Sequence, residues 1–125
     1  MFWEYKYFRG GKEEKLSVLR KALADEDKVL LAIAFGSFVE LESYRDIDVA
    51  VYTVDTSLRY LLELGAKLEE RVGVPVDIVP LAELDPQFKW KILTKGVIIV
   101  EKVPGLYEAL LSLAHDEMMV SRLWQ

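Results

Sequence analysis

Three aspartates stand where their carboxylates could bind metal ions. Asp46 and Asp48 open the stretch 46–54, which is rich in β-branched residues and typical of a strand. Side chains two residues apart in a strand point to the same face, so these two carboxylates lie side by side. Their repulsion favours a bound cation, and hard oxygen ligands suit Mg²⁺, which commonly also takes substrate phosphates.

A third carboxylate, Asp77, is the lone charge in the short apolar stretch 74–79. From a neighbouring strand it could join Asp46 and Asp48. Three carboxylates can bridge two metal ions about 3.5 to 4 Å apart, and such a pair stabilises both the attacking and the leaving oxygen of a phosphoryl or nucleotidyl transfer. We therefore predict that the three aspartates are catalytic residues and ligands of two Mg²⁺ ions.

A glycine-serine pair, Gly36-Ser37, directly follows a continuous apolar run at 29–35. Glycine lets the backbone approach a phosphate closely, and a serine at a helix start leaves N–H groups and a hydroxyl for the phosphate oxygens. We predict that this pair binds the triphosphate of a nucleotide. Each motif is common by itself, but their combination in this order is more specific.

Each of these residues also has a purely structural interpretation. Asp46 and Asp48 could be solvated charges at a strand start, and Asp77 a charge that protects an edge strand from aggregation. Ser37 could simply cap a helix, although capping and phosphate binding use the same backbone groups. Both interpretations stay open at this point.

Length and composition narrow the chemistry. The 125 residues correspond to one domain, residues 1–125, and the net charge of −5 disfavours a nucleic-acid partner. Without cysteine and with His115 as the single histidine, thiolate chemistry and multi-histidine metal centres are excluded. The absence of a long apolar run predicts a cytoplasmic protein without a membrane span. Abundant lysine and glutamate without asparagine fit a thermophilic source.

Hydrophobic periodicity and turn residues predict an alternating order of elements. Asp55 or Thr56 is predicted to cap the helix that Gly73 ends, and Asp85 the helix that Gly96 ends. A short helix is expected to start at Ser37. The longer helices are predicted at 12–24, 58–72, 86–96 and 105–123, and the strands at 29–35, 46–54, 74–79 and 97–100. This order predicts an α/β (α+β) fold with a small mixed β-sheet flanked by helices.

An N-terminal group of aromatic residues and a group of three lysines could also contribute to binding. Five aromatic residues lie among residues 1–8, where they are expected either to pack over the core or to form an interface. Lys89, Lys91 and Lys95 are expected to lie on the solvent face of a helix, from which one of them could reach a phosphate.

The stretch AFGSFVELESYRDIDVAVY resembles the signature of the nucleotidyltransferase superfamily, in which Gly-Ser precedes Asp-x-Asp at the head of a strand. The chain's size and its ending, FKWKILTKGVIIVEKVPGLYEALLSL, resemble the minimal nucleotidyltransferases, or MNT proteins, which are antitoxin partners of HEPN-domain ribonucleases. The resemblance covers nearly the whole chain from about residue 12. It implies the nucleotidyltransferase fold, with Gly36 and Ser37 at the phosphates, Asp46 and Asp48 as metal ligands, and Asp77 as the third acidic residue.

The resemblance also implies a function. Such family members transfer AMP from ATP to a tyrosine of the partner toxin, as in a type VII-like toxin–antitoxin pair, or neutralise the toxin by binding it. Only eight residues separate Ser37 from Asp46, against a common family spacing of ten, and the intervening FVELESYR lacks the usual glycine. The intact carboxylates favour a Mg²⁺-dependent protein adenylyltransferase, and the short loop favours the alternative, a catalytically silent binding module.

Overall fold

The computed structural model describes residues 7–124. Helices and strands alternate along this part of the chain except where one strand at Ser43–Tyr44 is followed directly by another at Ile47–Thr53, and a 3₁₀ turn lies at Leu81–Glu83. The helices are α1 (Lys12–Ala24), α2 (Ser37–Glu40), α3 (Leu58–Val72), α4 (Pro86–Lys95) and α5 (Leu106–Leu123). The strands are β1 (Phe8–Arg9), β2 (Val29–Phe35), β3 (Ser43–Tyr44), β4 (Ile47–Thr53), β5 (Val76–Pro80) and β6 (Val97–Glu101).

Four of the strands form the central sheet, in the order β5-β4-β2-β6. Strand β2 pairs antiparallel with β4 and with β6, whereas β4 and β5 are parallel. The helix α3 makes the crossover connection that a parallel pair requires. The predicted mixed sheet flanked by helices is thereby confirmed.

The two faces of this sheet carry separate apolar clusters. Strand residues of alternating parity point to opposite faces, which explains why Val49 packs with α1 and α3 while Ala50 packs with α4 and α5. The helix α3 fits against β5 at Gly65, where an added Cβ would lie 3.3 Å from the Val76 carbonyl oxygen. Both faces are therefore covered, and the open parts of the sheet are its edges and ends.

The element boundaries correct the predictions in three places. Strand β4 begins at Ile47, so Asp46 lies in the turn before it. Neither Asp55 nor Thr56 caps α3, because Ser57 accepts the Tyr60 N–H while Asp55 accepts the Ser57 N–H. The third strand starts two residues later than predicted, at Val76.

A second, two-stranded sheet was not predicted. It pairs β1 with β3, with Phe8 opposite Tyr44. Residues 1–6, which hold most of the N-terminal aromatic cluster, lie outside the described residues. Between residues 7 and 124, no helix combines the length and the apolar character that crossing a membrane would need.

Candidate functional site

The candidate site lies at one end of the central sheet, where β2 ends and β4 and β5 begin. Asp48 lies opposite Phe35, the last residue of β2, and beside Asp77 in the parallel ladder of β4 and β5. The turn at Gly36 follows Phe35 directly. The topology therefore brings all five residues of the predicted site to the same end of the sheet, although they come from three separate segments.

The three aspartates are close enough to share a cation. Each of Asp46, Asp48 and Asp77 offers a carboxylate oxygen, and these oxygens all lie within 4.8 Å of one another. Asp46 and Asp48 are half-buried and Asp77 is exposed, so the cluster is open to solvent on one side. A set of hard oxygen ligands with one open side fits Mg²⁺, which keeps several waters or takes substrate phosphates.

The electrostatics of Asp48 show the cost of this arrangement. Burial, together with the neighbouring charges of Asp46 and Asp77, raises the pKa of its carboxyl from 3.8 to about 6, and burial is the largest of these causes. A carboxylate that is hard to ionise by itself is stabilised when a divalent cation neutralises the cluster. Mutual repulsion of this kind is the property expected of a carboxylate cluster that could hold a divalent cation.

Gly36 is fixed in place by two constraints. Its backbone has φ 77° and ψ −153°, a region that only glycine adopts readily. An added Cβ would also lie 2.5 Å from Oδ2 of Asp48, closer than any real contact. The absent side chain thus gives Asp48 its position, a role that is separate from any approach to a phosphate.

Ser37 begins the short helix α2 directly after this turn. The carbonyl of Gly36 accepts the N–H groups of Val39 and Glu40, while the first N–H groups of a helix have no intrahelical partner. The backbone N–H of Ser37 is therefore among the groups that have no hydrogen-bond partner within the helix. It lies at the same end of the sheet as the carboxylates.

The short loop between Ser37 and Asp46 is an ordered part of the site. Tyr44 is buried, packs edge-on against Phe38 with ring centroids 4.8 Å apart, and donates its hydroxyl proton to the Gly10 carbonyl oxygen. Lys12 on α1 donates to the Leu41 carbonyl. These contacts hold the loop in place without a glycine. Alternation of polar and apolar residues cannot identify a strand of two residues. A tyrosine within a charged loop was an available signal in the sequence that the loop packs against the core.

A cavity of about 130 Å³ adjoins the glycine turn on the side away from Asp77. Its walls include Gly36, Glu40 and two lysines of α4, Lys91 and Lys95, which lie one helical turn apart. Within residues 7–124, neither lysine has a carboxylate within ion-pair distance, whereas Lys89 pairs with Glu117 at 3.2 Å. The two lysines therefore place positive charge beside the Gly36 turn, where Glu40 is the one acidic residue among the described residues of the cavity wall.

His115 lies on α5, and Arg45 directly precedes Asp46. His115 is half-exposed on α5, with its ring centroid 5.5 Å from that of Trp90. Arg45 is exposed, and its guanidinium lies 5.9 Å from the centroid of the Tyr7 ring.

The fold, with a cluster of three aspartates beside a Gly-Ser turn, is that of a nucleotidyltransferase. The family model described as Polymerase beta, Nucleotidyltransferase matches residues 18–104, which is more than half of the chain. The chain therefore belongs to the polymerase beta nucleotidyltransferase family. No curated protein sequence matches it.

Solved structures extend this result. A toxin–antitoxin complex with AMP-PNP contains a chain that is 26% identical, with a TM-score of 0.72 and coverage of 86% of this chain and 88% of that chain. A complex of tri-AMPylated Shewanella oneidensis HEPN toxin with MNT antitoxin matches at 25% identity and a TM-score of 0.70, covering 90% and 88%. The toxin–antitoxin MntA-HepT shares the fold at 24% identity and a TM-score of 0.69, covering 89% and 88%. The resemblance stated from the sequence is thus confirmed.

Proposed function

We propose that this protein is a Mg²⁺-dependent nucleotidyltransferase that transfers AMP from ATP to a HEPN-type toxin, for which it acts as the antitoxin. The observation that carries the proposal is that three carboxylates, with oxygens within 4.8 Å of one another, lie together at the end of the sheet next to Gly36. Similar proteins occur in complexes with AMP-PNP and with a tri-AMPylated HEPN toxin, which supports both the nucleotide and the partner.

In the proposed reaction, the acceptor hydroxyl oxygen attacks the α-phosphorus of ATP and the bond to the bridging oxygen breaks, releasing pyrophosphate. Asp46 and Asp48 would hold Mg²⁺, which when bound neutralises the phosphates and lowers the pKa of the acceptor hydroxyl. Asp77, the most exposed of the three carboxylates, would ligate a second ion or accept the hydroxyl proton. Gly36 and Ser37 would let the phosphates approach the backbone.

The test is AMP transfer measured by mass. The protein is incubated with ATP, Mg²⁺ and a candidate HEPN-type partner protein, and a gain of one AMP on a tyrosine of that partner is expected. Chelation of the metal with EDTA should abolish the gain, and Asp46→Asn should reduce its rate by about 100-fold or more. Exposed Asp27→Asn is the matched control. Transfer at the full rate by Asp46→Asn would refute the catalytic assignment.

The alternative is a binding module that neutralises the toxin by contact alone, and the short spacing between Ser37 and Asp46 is the observation that favours it. Isothermal titration of the protein with ATP and Mg²⁺ separates the two. Binding heat that disappears in Asp46→Asn supports the enzyme. A complete lack of heat at millimolar nucleotide, together with tight toxin binding, supports the module.

Lys91 and Lys95 are expected to contribute to ATP binding. Both line the cavity beside Gly36 and have no carboxylate partner within residues 7–124, so they are available to neutralise the terminal phosphates. The double substitution Lys91→Gln and Lys95→Gln should raise KM for ATP by about tenfold with little change in kcat. Phosphate contacts that are equally strong in the ground state and the transition state affect substrate binding and not the chemical step. Lys21→Gln on α1, also exposed, should leave KM unchanged. Equal KM values in both variants would contradict this role.

A further inference from the structure

A long groove follows the outer edge of the central sheet, away from the lysine cavity. It encloses about 580 Å³ between α3, the edge strand β5 and the 3₁₀ turn. We call it the edge groove and define it by six of its lining residues: Leu58, Leu62, Glu69, Asp77, Ile78 and Glu83. Because Asp77 lines it and also belongs to the carboxylate cluster, the edge groove is continuous with the candidate site.

The far end of the edge groove is apolar and exposed. Leu58 and Leu62 are 72% and 65% exposed, and they lie one turn apart on the same side of α3. Gly65 and Ala66 follow along the helix and are too small to fill the space beside β5. Two neighbouring leucines this exposed, next to a concave surface, are typical of a binding surface rather than of a solvated helix face.

The backbone of β5 adds a recognition element. This strand pairs only with β4 within the described residues, so its other edge is open. The N–H of Val76 on that edge donates to the Glu69 carboxylate at 3.0 Å. N–H groups alternate sides along a strand, so the N–H and carbonyl of Ile78 face the same edge, while Pro80 has no N–H to offer. An extended segment could pair there over a short length, as in strand addition.

The charge of the edge groove has a single sign. Glu69, Asp77 and Glu83 line it, and no lysine or arginine is among its lining residues. An acidic lining with exposed leucines complements a segment that combines basic and apolar side chains. An acidic segment would instead meet like charges and lose affinity.

We infer that the edge groove binds an extended, basic and apolar segment of a partner protein and presents a hydroxyl on that segment to the carboxylate cluster. Basic side chains would meet Glu69 and Glu83, apolar ones Leu58 and Leu62, and the acceptor would lie at the Asp77 end. The presentation of an acceptor rests on the proposed function, whereas the binding of the segment does not.

The probe is a fluorescein-labelled octapeptide with leucine and arginine alternating around one tyrosine, and its counterpart with glutamate in place of arginine. We expect the basic peptide to bind the full-length protein and the acidic one not to bind, as measured by fluorescence anisotropy. Leu62→Ser and Glu83→Lys should each weaken binding by about tenfold.

Two matched controls lie outside the edge groove. Leu123→Ser removes a leucine of α5 that is more exposed than Leu62, and Glu63→Lys makes the same charge change on α3; both should alter the affinity by less than about twofold. Equal binding of the two peptides, no binding of the basic peptide, or equal effects of groove and control variants would overturn the inference. So would a dimer of the protein that Leu62→Ser dissociates, because a second copy would then occupy the groove.

Asp46→Asn separates this inference from the proposed function. The variant should bind the basic peptide normally and fail to transfer AMP to its tyrosine. If the wild-type protein binds the peptide through Leu62 and Glu83 and transfers AMP to the HEPN-type partner but not to the peptide, the acceptor role of the groove fails and the proposed function stands. If it transfers AMP to neither, the proposed function fails while the groove remains a peptide-binding surface.

Discussion

Gly36→Ala is expected to abolish metal-dependent AMP transfer and to destabilise the protein. The methyl group would lie 2.5 Å from Oδ2 of Asp48, so either the turn or the carboxylate must move. A displacement of about 1 Å in a catalytic group is sufficient to cost on the order of 100-fold in rate. The strained backbone at φ 77° and ψ −153° adds about 1 to 3 kcal/mol of destabilisation.

Gly73→Ala is the matched control for this substitution. Gly73 has a similar φ of 80°, but an added Cβ there meets nothing within 4 Å. This variant should lose about 1 kcal/mol of unfolding free energy and keep its Mg²⁺ affinity and its transfer rate. Mg²⁺ titration calorimetry and thermal unfolding of both variants make the comparison. Wild-type Mg²⁺ affinity in Gly36→Ala would show that the glycine does not position Asp48.

Asp48→Asn is expected to stabilise the metal-free protein while removing its activity. Ionised Asp48 is unfavourable in the folded state, because burial and the charges of Asp46 and Asp77 raise its pKa to about 6. The rise from 3.8 corresponds to about 3 kcal/mol by linkage. Asp48 is half-buried, so screening by water reduces the expected gain of the amide to about 1 kcal/mol at neutral pH.

The pH dependence identifies the cause of this gain. The folded-state pKa lies above the unfolded one, so the folded protein holds the extra proton and wild-type stability declines as pH rises from about 4 to about 6. Asp48→Asn has no such proton. The difference between the two proteins should therefore be near zero below pH 4 and complete above about pH 6.5.

Chemical denaturation at several pH values, without metal and with saturating Mg²⁺, measures this difference. Mg²⁺ should stabilise the wild type and not the variant, since ligand binding to the folded state adds to stability. The surface substitution Asp27→Asn should show no comparable pH-dependent gain. A stability difference that is constant from pH 4 to pH 8 would contradict the assigned role of Asp48.

Local sequence patterns were sufficient to predict where many of the helices and strands lie. The helix α1 and the strand β2 begin and end where their periodicity predicts, because each buries a regular stripe or a continuous apolar run. Gly73 ends α3 at a positive φ that favours glycine. The predicted cap of α3, Asp55 or Thr56, was wrong, because Asp55, Thr56 and Ser57 all have side chains able to cap and only the path of the loop selects Ser57.

By itself, the sequence determined the order of the helices and of the four central strands and the identity of the acidic residues, because burial periodicity and the lone charges in apolar strands are local properties. The tertiary structure decided which of those residues meet. The parallel register sets Asp77 beside Asp48, and the antiparallel register sets Asp48 beside the Gly36 turn. The register between strands far apart in the chain depends on how α3 and the core pack, and no local pattern contains that information. The edge groove arises in the same way, from the gap that α3 leaves beside the last strand of the sheet.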